Sequence, residues 1–154
     1  IKKKPSGYGQ FGGFSPYGNV TALAFFLATN ASGAVIDSDT TAAVASGDVI
    51  DLGELPEGMR LDDAQILIKT GMTATVTGSL GFKYVDGDST EVPQDAAYFI
   101  NAGDLATAGR LRANTGKLVT LPKAARLILT TGGAANAKAS DIKVIVSGEL
   151  TGPR

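Results

Sequence analysis

The clearest structural signal in the chain is the stretch MRLDDAQILIKTGMTATVTGSLGFKYV, residues 59–85. In its first half, the apolar residues Ala64, Ile66 and Ile68 recur at every second position. In its second half, residues 73–85, threonine and serine alternate with apolar side chains. Successive side chains of a β-strand point to opposite faces, so this period of two predicts two half-buried strands.

Two details of this region lead to further predictions. Leu61 is out of phase with Ala64 and the apolar positions after it, so we expect these residues not to share one face of the strand. Asp86-Gly87-Asp88 predicts a tight hairpin, because Asp-Gly suits turns that need a positive φ. Residues 104–113 have no clear period, so the sequence does not decide whether they contain a helical turn.

Outside this region the chain repeats the same pattern of short apolar segments separated by turn residues. No amphipathic helix is evident, and a parallel α/β sheet would need helical crossovers of about a dozen residues. The result is eight to nine strands, which predicts an all-β, jelly-roll-like β-sandwich with a barrel as the related alternative. The remaining predicted strands are Val20–Thr29, 34–37, 48–52, 96–100, 117–121, 126–131 and 141–150.

The chain divides into an arm, residues 1–18, and a β-sandwich body, residues 19–154. The arm reads IKKKPSGYGQFGGFSPYG, which is rich in glycine and has neither strand nor helix period. Such a segment cannot form its own core, yet it carries four aromatic rings. Aromatic side chains are frequent interface anchors, so we expect the arm to be extended and to bind a partner through them. These candidate interface residues are Tyr8, Phe11, Phe14 and Tyr17.

The composition argues against an enzyme. The 154 residues suffice for one domain with its own core. Cysteine and histidine are both absent, which excludes disulfides, thiolate metal sites, a cysteine nucleophile and the usual general base near neutral pH. The balance of 14 basic and 15 acidic residues provides no long-range field toward nucleic acid or an anionic membrane. We therefore expect no cofactor, no nucleic acid and no membrane as partner.

Two local motifs contain residue types that are typical of ligand-binding sites. Residues 7–12, GYGQFG, match the letters of the dinucleotide fingerprint, but lysines and a proline precede them where the mechanism needs a strand. Asp86, Asp88 and Glu91 offer hard oxygen ligands that calcium accepts. The alternative for these three is a polar hairpin turn, and we regard calcium as the weaker interpretation.

Several phrases of the body resemble small structural proteins of tailed bacteriophages. The resemblance covers about residues 48–150 and rests on turns and strand patterning. It is carried by VIDLGELPEGMRL (49–61), DAQI (63–66), SLGF (79–82), the turn at 86–88, DAAYFI (95–100), AGD (102–104) and ARLILTT (125–131).

The resemblance implies a virion component with a jelly-roll-like fold, and in particular a capsid decoration or cement protein. Its partners would be the major capsid protein and further copies of the chain, with a trimer favoured. It would sit on the capsid surface after assembly in the host cytoplasm. The alternative is a tail or fibre module that recognises a host glycan. That alternative has little support from composition, because tryptophan is absent and the body's only tyrosines are Tyr84 and Tyr98.

Overall fold

The computed structural model describes residues 1–2 and 20–151, and within them the fold is all-β with nine strands. In this part of the chain no helix is long and apolar enough to cross a membrane. The strands are β1 Val20–Thr29, β2 Val49–Leu55, β3 Met59–Thr70, β4 Thr77–Tyr84, β5 Asp95–Asp104, β6 Gly109–Arg112, β7 Val119–Thr120, β8 Ala125–Gly132 and β9 Ser140–Leu150.

The strands form two antiparallel sheets that pack face to face. The large sheet has the order β1-β9-β3-β6, with β7 also paired to β3, and the small sheet has the order β2-β8-β4-β5. The core lies between them and contains apolar side chains from both sheets. This arrangement confirms the predicted jelly-roll-like β-sandwich.

The large sheet follows the sequence pattern closely, with one correction. Along β9 every second residue is buried from end to end. On β3, however, Leu61 and Ala64 are both fully buried, although the alternation predicts opposite faces. The register of β3 against β9 shifts between Leu61 and Asp63. A β-bulge adds one residue and restores the phase, so the prediction that these residues cannot share a face is wrong.

The small sheet departs from the predictions in its turns. Residues 73–76 precede β4 as a turn in which Thr75 has a φ of 68°, so the predicted strand 73–85 is four residues shorter at its start. The predicted tight hairpin is also wrong, because β4 and β5 are joined by the ten residues 85–94. Gly87 does have a positive φ of 77°, so Asp-Gly makes a bend within a longer loop.

In two further segments the observed secondary structure differs from the one predicted from the sequence. Residues 109–112 of the ambiguous stretch form strand β6 and not a helical turn. Residues 34–37 make only isolated bridges, in which Val35 pairs with Thr29 and Ala34 with Ala43. Both segments make only short pairings, and so few residues do not produce a recognisable period in the sequence.

Strand β5 links the two sheets. Tyr98, Phe99 and Ile100 are all buried in succession, so side chains on both faces of β5 are covered here. Between its pairings to β4 at Asp95 and Ile100, β5 carries a large irregularity. The Tyr98 hydroxyl donates to the carbonyl of Leu61 in the large sheet at 3.2 Å. The strand therefore crosses the edge of the sandwich and closes it.

Residues 1 and 2 lie beside β2, at the edge of the small sheet. The amide of Asp51 donates to the carbonyl of Ile1 at 2.8 Å, and Lys2 forms a parallel bridge with Asp51. The amide of Lys2 also donates to the carboxylate of Asp39 at 2.9 Å. The chain is thus attached to the body at Lys2 and again at Val20.

Candidate functional site

The outward face of the large sheet carries a patch of apolar and basic side chains. Cross-strand pairing aligns Phe26 with Lys143, Lys143 with Leu67, and Leu67 with Arg110, so these four side chains share one row on one face. They line a shallow depression of about 570 Å³. We define the outer patch by the six residues Phe26, Leu67, Lys69, Arg110, Asp141 and Lys143.

The outer patch is apolar at its centre and positively charged at its rim. Phe26 is 54% exposed, which is unusual for so large an apolar side chain. The Lys143 ammonium lies 5.3 Å from the centroid of its ring, a cation–π contact. Lys69 pairs with Asp141 at 3.2 Å, and Arg110 donates to Gln65 Oε1 at 3.1 Å. The outer patch thus contains three cationic side chains, those of Lys69, Arg110 and Lys143, and one carboxylate, that of Asp141.

A second exposed surface of mixed character is the acidic loop, which we define as residues 85–94. Val85 is 61% exposed at its start, and Asp86, Asp88 and Glu91 are exposed after it. The Asp88 carboxylate accepts hydrogen bonds from the amides of Gln94 at 2.7 Å and Ser89 at 2.8 Å. Because both bonds favour the ionised form, they lower the pKa of Asp88 below its ordinary value.

The Lys123 side chain contacts the acidic loop where three backbone carbonyl oxygens converge. Its ammonium donates to the carbonyls of Asp86 at 3.2 Å, Gly87 at 2.8 Å and Asp88 at 3.2 Å. Within residues 1–2 and 20–151, no group of three or more acidic side chains converges as a metal site would require. The calcium hypothesis for Asp86, Asp88 and Glu91 therefore stays a prediction without geometric support.

The acidic pair on β3 is engaged by arginines. Asp62 pairs with Arg60 at 2.7 Å, and Arg60 also reaches Glu149 at 2.7 Å. Asp63 pairs with Arg112 across the sheet. Both carboxylates of this pair are therefore engaged in ion pairs with arginines.

The predicted interface residues Tyr8, Phe11, Phe14 and Tyr17 lie outside the described residues. The two tyrosines of the body are in the core, with Tyr84 and Tyr98 both under 5% exposed. Neither can serve as a platform for a sugar. The exposed aromatic of the body is instead Phe26, on the outer patch.

Sequence analysis missed the outer patch and one buried polar residue. A signal for the patch was present, since Phe25 and Phe26 are adjacent on one strand and alternation places one of them outward. Asn136 had no such signal. It is 1% exposed, donates to Thr29 Oγ1 at 3.0 Å and accepts from the amide of Thr73 at 3.0 Å. It ties together three segments at one end of the sandwich.

Comparison with known proteins yields a fold and no family. No protein-family model and no curated protein matches the chain. Among solved structures, a chain in the capsid of Ralstonia phage GP4 covers 87% of this chain and 86% of its own, with a TM-score of 0.63 and 18% identity.

Two other capsid structures contain a similar chain. In the capsid asymmetric unit of cyanophage Pam1, the TM-score is 0.59 at 19% identity, over 90% of both chains. In the acidic stable capsid structure of Helicobacter pylori bacteriophage KHP30, it is 0.52 at 14% identity, over 85% of this chain and 89% of that one. At these identities the likeness establishes the shared fold.

Proposed function

We propose that the chain is a structural protein of a bacteriophage virion, which decorates and stabilises the capsid by binding across capsid subunits. The observation that carries this proposal is the shared fold over nearly the whole length of both partners in three phage capsids. The likeness covers 85–90% of this chain and 86–90% of the neighbouring chains, so the sandwich is the unit that they share. The structural phrases noted in the sequence favour the same class.

The chemistry of the described residues supports a binding role over catalysis. A chain without histidine or cysteine lacks the usual general base and nucleophile. Its paired carboxylates on β3 are neutralised by Arg60 and Arg112. The glycan-binding alternative has no such support, because both tyrosines of the body are buried.

The arm is proposed to reach a neighbouring capsid subunit through Tyr8, Phe11, Phe14 and Tyr17. Its attachment to the body at Lys2 and Val20 leaves 17 residues between them. An extended chain of that length spans up to about 60 Å. With both ends attached, its middle can therefore lie at most about 30 Å from the attachment points.

Labelling of particles tests the proposal directly. An antibody against the purified chain is applied to phage particles released by cells that carry the gene, and gold label is located by electron microscopy. We expect label distributed over the head. Label confined to the tail, or particles that contain none of the chain by mass spectrometry, would overturn the proposal.

The role of the arm is tested by binding to particles that lack the chain. The double variant Phe11→Ala/Phe14→Ala is expected to lose most of its occupancy, because aromatic anchors dominate interface energetics. Leu118→Ala serves as the control, since Leu118 is an exposed apolar side chain of the body. Unchanged thermal unfolding of both variants shows that the body is intact. Equal occupancy of both would show that the arm does not bind the particle.

A further inference from the structure

The outer patch and the acidic loop are complementary in charge. Lys69, Arg110 and Lys143 against Asp141 give the outer patch a net charge of +3 − 1 = +2. Both surfaces also expose an apolar side chain, Phe26 on the outer patch and Val85 on the loop.

On the acidic loop, Asp86, Asp88 and Glu91 against the adjacent Lys123 give −3 + 1 = −2. Each surface therefore combines one sign of charge with an exposed apolar side chain, and the two signs are opposite. Surfaces of this kind attract one another in solution and fit together as an apolar centre with a charged rim.

These two surfaces lie at opposite ends of one molecule. Strand β9 starts beside the outer patch at Asp141 and ends at Leu150, which pairs with Met59. The amide of Leu121 donates to the carbonyl of Met59 at 2.9 Å, and Lys123, two residues further on, binds the acidic loop. The length of β9, about 30 Å at 3.3 Å per residue, separates the loop from the patch.

We infer that the occupant of the outer patch is a second copy of this chain, which inserts its acidic loop there. The separation excludes pairing within one molecule, so the contact joins different surfaces of two copies. Such a heterologous contact repeats from copy to copy and generates a ring or a filament. Val85 of one copy would enter the depression beside Phe26 of the next, with Asp86 and Glu91 facing Lys69 and Arg110.

Reciprocal charge reversal tests the inference on the purified full chain. The patch variant is Lys69→Glu/Arg110→Glu, and the loop variant is Asp86→Lys/Glu91→Lys. We expect wild type to associate with increasing concentration in sedimentation velocity, and each variant alone to associate about tenfold more weakly or worse, because like charges then face each other. Glu54→Lys, an exposed charge reversal elsewhere, is expected to behave as wild type.

Mixing the two variants gives the decisive result. The patch variant keeps an intact acidic loop and the loop variant keeps an intact outer patch, and the two reversed surfaces are also opposite in charge, so every contact between unlike variants is complementary. We expect the 1:1 mixture to recover association close to that of wild type, although each variant alone associates weakly. Association of wild type that neither variant weakens, or a wild-type chain that stays monomeric up to about 1 mM, would overturn the inference and leave the outer patch to a different protein.

Because the chain has no cysteine, introduced thiols provide an independent measurement. Ala28→Cys lies at the rim of the outer patch, where Ala28 pairs with Asp141, and Thr90→Cys lies in the acidic loop. A short bismaleimide is expected to link one variant to the other. Ser46→Cys, exposed in the loop before β2, is the control and is expected not to react with Thr90→Cys; equal linkage would overturn the inference. Both tests use the chain alone, so their failure leaves the proposed capsid role standing.

Discussion

The two sheets of the sandwich differ in regularity and in what they turn toward solvent. The large sheet is built on three strands of 10 to 12 residues, with strict alternation along β9. Its outward face is continuous and carries the outer patch. The small sheet is interrupted in β5, whose aromatic residues turn inward and cross to the other sheet. A regular sheet thus provides a surface for a partner, and the irregular sheet closes the core.

The difference between the two sheets can be measured by substituting one phenylalanine in each, Phe82 and Phe26. Phe82 on the small sheet is fully buried and packs edge-on against the rings of Tyr84 and Tyr98, with centroids 5.6 and 5.4 Å away. Phe82→Ala is expected to lower the free energy of unfolding by about 3–5 kcal/mol. Phe26→Ala, on the outer patch, removes a half-exposed ring and is expected to cost under about 1 kcal/mol.

Chemical denaturation of both variants provides the measurement. The two variants carry the same substitution, so composition does not contribute to their difference. Similar losses for Phe82→Ala and Phe26→Ala would contradict the assignment of Phe26 to a surface. It would also indicate that the outer patch contributes to the fold and not to binding.

The same contrast explains how much of the fold could be predicted from sequence. The predicted strands at β1, β3 and β9 were found because each of these strands has 10 to 12 residues and buries every second residue over most of its length. The alternation failed where a backbone irregularity changes the phase, at the bulge near Asp62. A bulge leaves no trace in a period of two, since its cause is the register of the partner strand.

Gly81, on strand β4 of the small sheet, provides the next prediction. A Cβ at Gly81 would come within 2.0 Å of the carbonyl oxygen of Asp95, so the backbone of β5 would have to move. Gly81→Ala is expected to destabilise the chain by about 1–3 kcal/mol. Gly116→Ala is the matched control, because no atom lies within 4 Å of its Cβ and its backbone is not in the positive-φ region.

For a domain of this size, 1 kcal/mol corresponds to about 2–4 °C in Tm, so thermal unfolding resolves the pair. Gly116→Ala is expected to be neutral or slightly stabilising, since alanine reduces the entropy of the unfolded chain. If Gly81→Ala unfolds at the same temperature as Gly116→Ala, the close crossing of β5 over β4 is wrong.

The candidate site was less predictable than the fold. Sequence analysis placed binding in the arm, through rings that lie outside the described residues. The outer patch joins Phe26, Leu67, Arg110 and Lys143, which come from four strands. Such a surface depends on strand order, and strand order in a sandwich is set by long-range pairing that one sequence does not display. The acidic loop was noticed, but as a possible calcium site.

The smallest expected effect concerns acid at the start of β5. Burial raises the pKa of Asp95, but the hydrogen bond from Lys117 and that from the amide of Ala97 outweigh it, so the pKa lies below its ordinary value of 3.8. A lowered pKa in the folded state contributes stability that is present above about pH 4 and is lost as pH falls through the folded value. Because Lys117 is half-exposed and Asp95 is partly exposed, solvent screens the pair and this contribution is about 0.5 kcal/mol.

Asp95→Asn separates this contribution from other effects of acid. At pH 7 the variant is expected to unfold about 1–2 °C below wild type, and at pH 2 the two should coincide, because asparagine resembles the protonated acid. Lys117→Met should give the same loss at pH 7, since it removes the cation that stabilises the carboxylate. A difference between Asp95→Asn and wild type that persists unchanged at pH 2 would mean that Asp95 acts through packing and not through its charge. In that case the small sheet would owe its closure at β5 entirely to the buried rings of Tyr98 and Phe99, and acid would leave this edge of the sandwich unaffected.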